Sequence, residues 1–263
     1  MKNIKVIVAT HKEYQMPEEK MYIPVQVGAE GKEKIEGYQP DNVGENISNK
    51  NPYFCELTGL YWAWKNMDSD YIGLVHYRRY FTESRKIPKN ENLKFSILLN
   101  NEEIEKILES TDVILPKKRK YYIENLYDHY KHTMYIEPLD ETRKIINEKY
   151  PGYLEEFDKL NIRTSAHMFN MFIMKKEILN DYCNWLFDIL FELEKRVDVS
   201  QYDTFHARFF GRVSELLLDV WINKNNIQYK EVKVIDIQNV NWTKKGISFL
   251  KAKFTGKKYE KSF

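Results

Sequence analysis

The 263-residue chain has no run of about 18 consecutive apolar residues, which argues against a membrane-spanning helix. Cysteine is scarce. Cys55 and Cys183 stand in aromatic, helix-like surroundings without metal-ligand spacing, which predicts two free buried thiols in a reducing compartment. Neither G-x-G-x-x-G nor G-x-x-x-x-G-K-[ST] occurs, so a dinucleotide-binding dehydrogenase and a P-loop enzyme are disfavoured. The opening "MKNIKVIVAT" lacks a small-residue cleavage site and reads as a first strand rather than a signal peptide. A zinc-type Cys/His pattern is also missing. "DHYKH" does set Asp128, His129 and His132 within one helical turn, either as metal ligands or as hydrogen-bonded helix histidines.

The net charge of +2 hides an asymmetry. Residues 242–263 carry seven lysines against Glu260, about +6, and leave about −4 for everything before them. That distribution disfavours nucleic acid as a partner, because a broad basic face is missing. The tail spaces Phe249, Leu250, Phe254, Tyr259 and Phe263 between its lysines. It is therefore either a solvated tail or a contact for an anionic membrane surface. Hydrophobic residues at 43% and charged residues at 30% fit a soluble chain able to bury a core.

Strand-like runs lie at 4–9, 22–27, 71–75, 113–115, 168–174 and 232–237. Helical patterns fall between them at 52–66, 101–110, 139–150, 175–197 and 212–224. Their alternation predicts an α/β fold with a mostly parallel central sheet flanked by helices, ending in a helical C-terminal part and the basic tail. No linker is visible, so 1–241 reads as a single domain and 242–263 as its tail. Ligands of such sheets sit beyond the carboxyl ends of the strands. Three such ends carry polar residues: Thr10 and His11, the segment from His76 to Tyr80, and the basic "PKKRK" at 116–120.

"IGLVHYRRYF" delivers His76, Tyr77, Arg78, Arg79 and Tyr80 to one strand end. Adjacent guanidinium forks match phosphate oxygens, although a salt bridge to a neighbouring acid is the plainer use. Strand alternation sends the two arginines opposite ways. Further on, "RTSAHMFNMFIMKK" places His167 and Asn170 at the start of an apolar strand, where they need partners or a ligand. "QYDTFHARFFGRVSELLLDVW" holds Asp203, Arg212 and Glu215. Glu215 opens a helix and either complements its dipole or serves as a general base.

"NVGENISNKNPYFCELTGLYWAWKN" followed by "DYIGLVHYRRYF" resembles a bacterial capsular- and exopolysaccharide-biosynthesis family long known only as a domain of unknown function. Its members are regarded as glycosyltransferases, some associated with galactofuranosyl transfer. The resemblance runs over roughly residues 3–225. It implies a GT-A-like, Rossmann-related fold and a nucleotide-diphosphate-sugar donor, with UDP expected. Ordinary GT-A enzymes hold a divalent metal on an Asp-x-Asp pair at the corresponding strand end, where this chain has "HYRRY". The resemblance therefore implies that Arg78, Arg79 and His76 replace the metal, so that no cofactor is required, with Mn²⁺ or Mg²⁺ still possible. Thr10, His11, Tyr77 and Tyr80 would complete the donor site. His167, Asn170 and Arg212 would meet the acceptor, with Glu215 as base and Asp203 and Asp41 as competitors. The acceptor would be a lipid-linked oligosaccharide or polysaccharide. The enzyme would be cytoplasmic, peripheral on the inner face of the membrane through 242–263. Two other classes remain: a non-catalytic nucleotide-sugar or carbohydrate-binding module, and a sugar or polyprenyl phosphotransferase.

Overall fold

A computed structural model describes residues 2–238; the basic tail at 242–263 lies outside the described residues. Among the described residues ten strands follow in chain order. They are β1 (Ile4–Thr10), β2 (Tyr22–Gln26), β3 (Gln39–Pro40), β4 (Tyr71–His76) and β5 (Arg79–Thr82). Then come β6 (Val113–Pro116), β7 (Arg119–Lys120), β8 (Ser165–Ala166), β9 (Phe172–Lys175) and β10 (Lys230–Asp236). Among helices, α1 (Asn51–Phe54), α2 (Leu57–Asn66), α3 (Glu91–Lys94) and α4 (Asn101–Ile107) precede α5 (Leu126–Thr133). After it come α6 (Glu137–Lys149), α7 (Leu154–Asn161), α8 (Lys176–Arg196) and α9 (Phe209–Lys224).

The span read as one domain contains two compact units. Among the described residues the first holds those up to Lys117, Phe169–Asn184 and 227–238. The second holds Lys118–Met168 and Trp185–Asn226.

Eight strands of the first unit form a sheet in the order β3-β2-β1-β4-β5-β10-β6-β9, with β9 also paired to β4. This sheet is mixed rather than mostly parallel. Pairs β1–β2, β2–β3, β1–β4 and β6–β10 are parallel. Pairs β4–β5, β5–β10, β4–β9 and β6–β9 are antiparallel. The physical cause lies in the arginine segment: His76 pairs with Arg79 across a two-residue turn, so the chain reverses at once instead of crossing over. The parallel half behaves as expected. β1 and β4 are buried almost throughout, as strands covered on both faces must be, and α2 packs against both. Ile4, Val6, Val8, Tyr80, Phe81, Ile114, Ile173 and Ile235 meet in this unit's core.

The predicted strand at 168–174 begins only at Phe172. Phe169 and Asn170 take φ values of 80° and 52°, the left-handed region that no strand can run through. Gly73 of β4 sits level with Ile173, and a Cβ there would stand 2.8 Å from Ile173 Cγ1 and 3.0 Å from the Phe172 carbonyl. Glycine is what lets β9 lie against β4.

In the second unit α9 packs against α6 and α7, and α5 against α7. Phe209, Phe210, Val213, Leu217 and Val220 of α9 are buried. Helix α9 starts at Phe209, earlier than the periodicity predicted, so Glu215 is not in the first turn and does not serve its dipole. Strands β7 and β8 pair through Arg119 with Ala166 and Lys120 with Ser165. Both cysteines are free and buried. Among the described residues no helix is long and apolar enough to cross a membrane.

Candidate active site

In the first unit β1 is flanked by β2 on one side and β4 on the other, so the strand order reverses at the β1–β4 pair. Beyond the carboxyl ends at such a reversal is where α/β sheets bind ligands. The register aligns Ala9 with His76, and the Tyr77 amide donates to the Ala9 carbonyl at 3.3 Å. The two strand ends therefore present their next residues side by side. Tyr14 and Tyr77 stack at 4.0 Å and 14°, and His11 meets both rings edge-on. Tyr38 fixes this platform: its hydroxyl accepts from the Tyr14 amide at 3.0 Å and donates to the Tyr14 carbonyl at 2.8 Å. Lys12 Nζ lies 5.4 Å from the Tyr14 ring and the Arg78 guanidinium 6.0 Å from the Tyr77 ring. The result is a half-exposed aromatic face bordered by two cations, fit for a planar base or sugar next to an anion.

Behind the platform the two arginines part, because Arg78 lies in the turn and Arg79 begins β5. Arg78 stays half-buried at the turn, whereas Arg79 is buried, with its Nε donating to Asp236 Oδ1 at 3.0 Å. The Arg79 guanidinium also lies 4.2 Å over the Phe169 ring. The Asp236 and Ile237 carbonyls accept from the buried Lys94 ammonium at 2.8 and 2.7 Å. Arg79 thus braces the turn that displays Arg78. His76 Nε2 donates to the Phe169 carbonyl at 2.5 Å, which leaves Nδ1 as its lone-pair nitrogen. Burial holds the His76 pKa below the ordinary imidazole range, and Arg79 and Arg78 add to this against the pull of Glu56. Asn170 Nδ2 donates to Glu56 Oε1 at 2.8 Å. Two successive non-glycine residues at positive φ therefore hold a carbonyl on His76, a ring on Arg79 and an amide on Glu56. Strain of this kind collects at functional sites.

The second unit carries its own polar cluster. Glu124, just ahead of α5, accepts from His129 Nδ1 at 2.8 Å and from His132 Nδ1 at 2.7 Å. The His129 ring tilts against Tyr121 at 4.3 Å, and Arg119 lies 5.1 Å from Tyr121. Burial lowers the His129 pKa to about 4; Glu124 opposes this, while Arg119 and Arg212 reinforce it. Arg212 lies 5.7 Å over Phe205. Nothing in the residue pattern except "DHYKH" hinted at this cluster, and Glu124 itself was missed.

Several predicted site residues are occupied elsewhere. Asp41 is fully buried and accepts from the Gly28 amide at 2.8 Å, the Ala29 amide at 3.0 Å, Thr58 Oγ1 at 2.7 Å and Ser48 Oγ. Its carboxylate anchors a loop, with Gly28 at φ 65° bringing its amide close, and is not placed to take a substrate proton. Thr10 is buried and its hydroxyl donates to the Lys12 carbonyl at 2.7 Å. Tyr80 is a core residue, edge-on to Tyr22, because β5 turns it inward. In the second unit His167 is fully buried, and its ring Nδ1 and backbone amide both donate to Asp219, an acid the sequence did not single out. Asp203 accepts from the Phe205 and His206 amides and from His206 Nδ1. Burial works against its charge, but the His206 bonds prevail and hold it below the usual carboxylate range. Asn170 is buried on Glu56. Of the other predicted residues, His11, Tyr77 and Arg78 of the first unit and Arg212 and Glu215 of the second are half-buried or exposed. Among the described residues no group of three or more His, Cys, Asp or Glu side chains is arranged to hold a metal ion. A cleft of about 500 Å³ at the amino end of β1, lined by Lys2, Lys5, Glu19 and Asn101, gathers no reactive set.

Residues 5–226 match the family described as a domain of unknown function, DUF4422. The chain belongs to this family. It is also similar to a solved structure of WbbM, a bifunctional glycosyltransferase in its apo state, with a TM-score of 0.82 and 30% identity. That likeness covers 90% of this chain and 46% of the WbbM chain, so the family member described here spans about half of WbbM's length. No curated protein matches.

Proposed function

We propose that this DUF4422 chain is a glycosyltransferase that moves a sugar from a nucleotide-diphosphate donor to an acceptor hydroxyl. The observation that carries this reading is the 30% identical, 0.82 TM-score likeness to a bifunctional glycosyltransferase across 90% of the chain. The stacked Tyr14–Tyr77 platform with Arg78 at its border, at the switch point of the sheet, supports a donor site there.

In this reading the base or sugar of the donor lies against the tyrosine rings, and Arg78 faces the diphosphate. As the bond from the anomeric carbon to the diphosphate oxygen breaks, negative charge grows on the leaving group. A preorganised guanidinium stabilises that charge without reorganising. Arg79, held on Asp236, acts through the turn rather than on the substrate. A carboxylate takes the proton of the attacking hydroxyl, and Glu215 is the proposed one. UDP as nucleotide, galactofuranose as sugar and a lipid-linked oligosaccharide acceptor in capsular or exopolysaccharide synthesis complete the proposal. So do a position on the inner membrane face and a donor site that works without a divalent cation.

Calorimetric titration with UDP, with Mn²⁺ and after EDTA, tests the donor site. Binding is expected to survive EDTA and to weaken tenfold or more in Arg78→Ala, at least about 1.4 kcal/mol. Binding that needs Mn²⁺ would overturn the metal-independent part, and absence of UDP binding would overturn the donor. UDP release from a UDP-sugar, lost in Glu215→Gln with binding intact, separates an enzyme from a binding module.

A further inference from the structure

The second unit exposes few large apolar side chains, and most of them lie on one edge. Among the described residues they are Tyr122 at 89%, Ile162 at 74%, Ile123 at 59% and Tyr135 at 43%. Backbone bonds bring together the segments that hold the first three. Arg119 pairs with Ala166 and Lys120 with Ser165, and the Tyr121 amide carries the ladder on by donating to the Thr164 carbonyl at 2.7 Å. The Leu126 amide then donates to the Arg163 carbonyl at 2.9 Å. Residues 122–125 therefore loop out between bonds to two adjacent residues, with Tyr122 and Ile123 on the loop and Ile162 next to Arg163. One exposed apolar residue is ordinary, but three on one edge mark an interaction site.

The same edge is basic. Lys118, Arg119, Lys120 and Arg163 flank the apolar side chains, and neither 118–123 nor 162–166 contains an acid. Neighbouring acids are engaged. Glu124 has only 4% of its side chain exposed and accepts from His129 and His132. Glu156 lies 4.0 Å from Arg163 and 2.9 Å from Lys159. Exposed tyrosine and isoleucine inside a collar of cations match the interface of an anionic bilayer, where rings and aliphatic groups enter and long basic side chains reach the phosphates. A protein partner fits less well, because protein interfaces are depleted of lysine and of charge at their centres.

We infer that the edge formed by 118–123 and 162–163 is a membrane-docking surface for anionic lipid. Tyr122, Ile123 and Ile162 enter the headgroup region, and the four cations meet its phosphates. This rests on the peripheral membrane position proposed above, but on other residues than the basic segment 242–263 and on no step of sugar transfer. A patch of this size binds weakly alone, since affinity scales with buried apolar area and charge. Within one chain it multiplies the attachment made by the basic segment and fixes which face of the second unit meets the lipid.

The test puts an environment-sensitive nitrobenzoxadiazole label on Ile123→Cys in the full chain, where the native Cys55 and Cys183 are free but buried. On phosphatidylserine-containing vesicles at 50 mM salt, the label is expected to shift to the blue and brighten at least twofold. The same label on Lys195→Cys of α8, where the lysine side chain is 72% exposed, is expected not to respond. Tyr122→Ser combined with Ile162→Ser is expected to weaken vesicle binding tenfold or more with the melting transition unchanged; should that variant fail to fold, the label decides. A label at 123 that stays in water while the chain sediments with vesicles overturns this surface and leaves the membrane position standing. Absence of sedimentation overturns both. A concentration-dependent dimer abolished by the paired substitution, with no response of the label to vesicles, assigns the edge to a second copy of the chain and overturns the lipid reading. None of these outcomes bears on sugar transfer, so failure here is distinct from failure of the transferase proposal.

Discussion

His129 shows how one side chain couples local charge to stability. Its imidazole is mostly buried, and burial with the Arg119 and Arg212 charges keeps its folded pKa near 4, against an ordinary value of about 6.5. The neutral form is thus favoured by the native state. Between those two values the unfolded chain binds a proton that the folded chain refuses, so stability rises with pH across this window. The contribution is complete above about pH 6.5 and is lost as pH falls toward 4, on the order of a few kcal/mol. Urea unfolding at pH 5.0, 6.0 and 7.0 is expected to show this slope, and His129→Gln to flatten it. An unchanged slope in the variant would mean that other groups carry it. At the same scale Asp41 illustrates the opposite outcome for a polar side chain. A carboxylate lying between two backbone amides and two hydroxyls looks, in sequence, like any other loop aspartate. Its partners come from Gly28, Ala29, Ser48 and Thr58, and no local pattern announces that they converge.

Among elements, β4 and its neighbours decide the site, and here sequence and structure part in an instructive way. The apolar runs of β1, β2, β4, β6 and β10 were legible because buried strands read as continuous Val, Ile and Leu. The antiparallel return at 77–78 was not, because "HYRRYF" contains no glycine or asparagine to mark a turn. Nor was the late start of β9, since a left-handed Phe169 ahead of a left-handed Asn170 runs against the preference of an aromatic residue and is held by tertiary contacts. Gly73 makes the tightness of this arrangement measurable. Adding one methyl brings Cβ against the Phe172 carbonyl and Ile173 at once, and backbone cannot yield as a flexible side chain would. Gly73→Ala is expected to destabilise the protein by about 1–3 kcal/mol in urea unfolding. A loss under about 0.5 kcal/mol would show that β9 moves away freely.

For the whole molecule, the α/β class followed from alternation of strands and helices. The division into two units did not, because the chain passes between them with no change in composition that would mark a linker. The second unit's polar cluster was half legible: Arg212, the basic segment 116–120 and "DHYKH" were visible, but Glu124 was not. The basic segment 242–263 is the part of the molecule for which composition remains the whole argument. Lysines near an anionic bilayer surface are worth about 1 kcal/mol each, and spaced aromatic rings add interfacial burial. Seven lysines against one glutamate would then hold the chain on such a surface at low salt and release it as the charges are screened. Sedimentation with phosphatidylserine-containing vesicles is expected for the full chain at 50 mM salt, to fall steeply by 500 mM, and to be lost on deletion of 242–263 with the melting transition unchanged. A deleted protein that still sediments would transfer membrane contact to the rest of the chain. That rest carries about −4 by formal charge, so any such contact would have to be made by apolar surface or by a local basic patch rather than by net attraction.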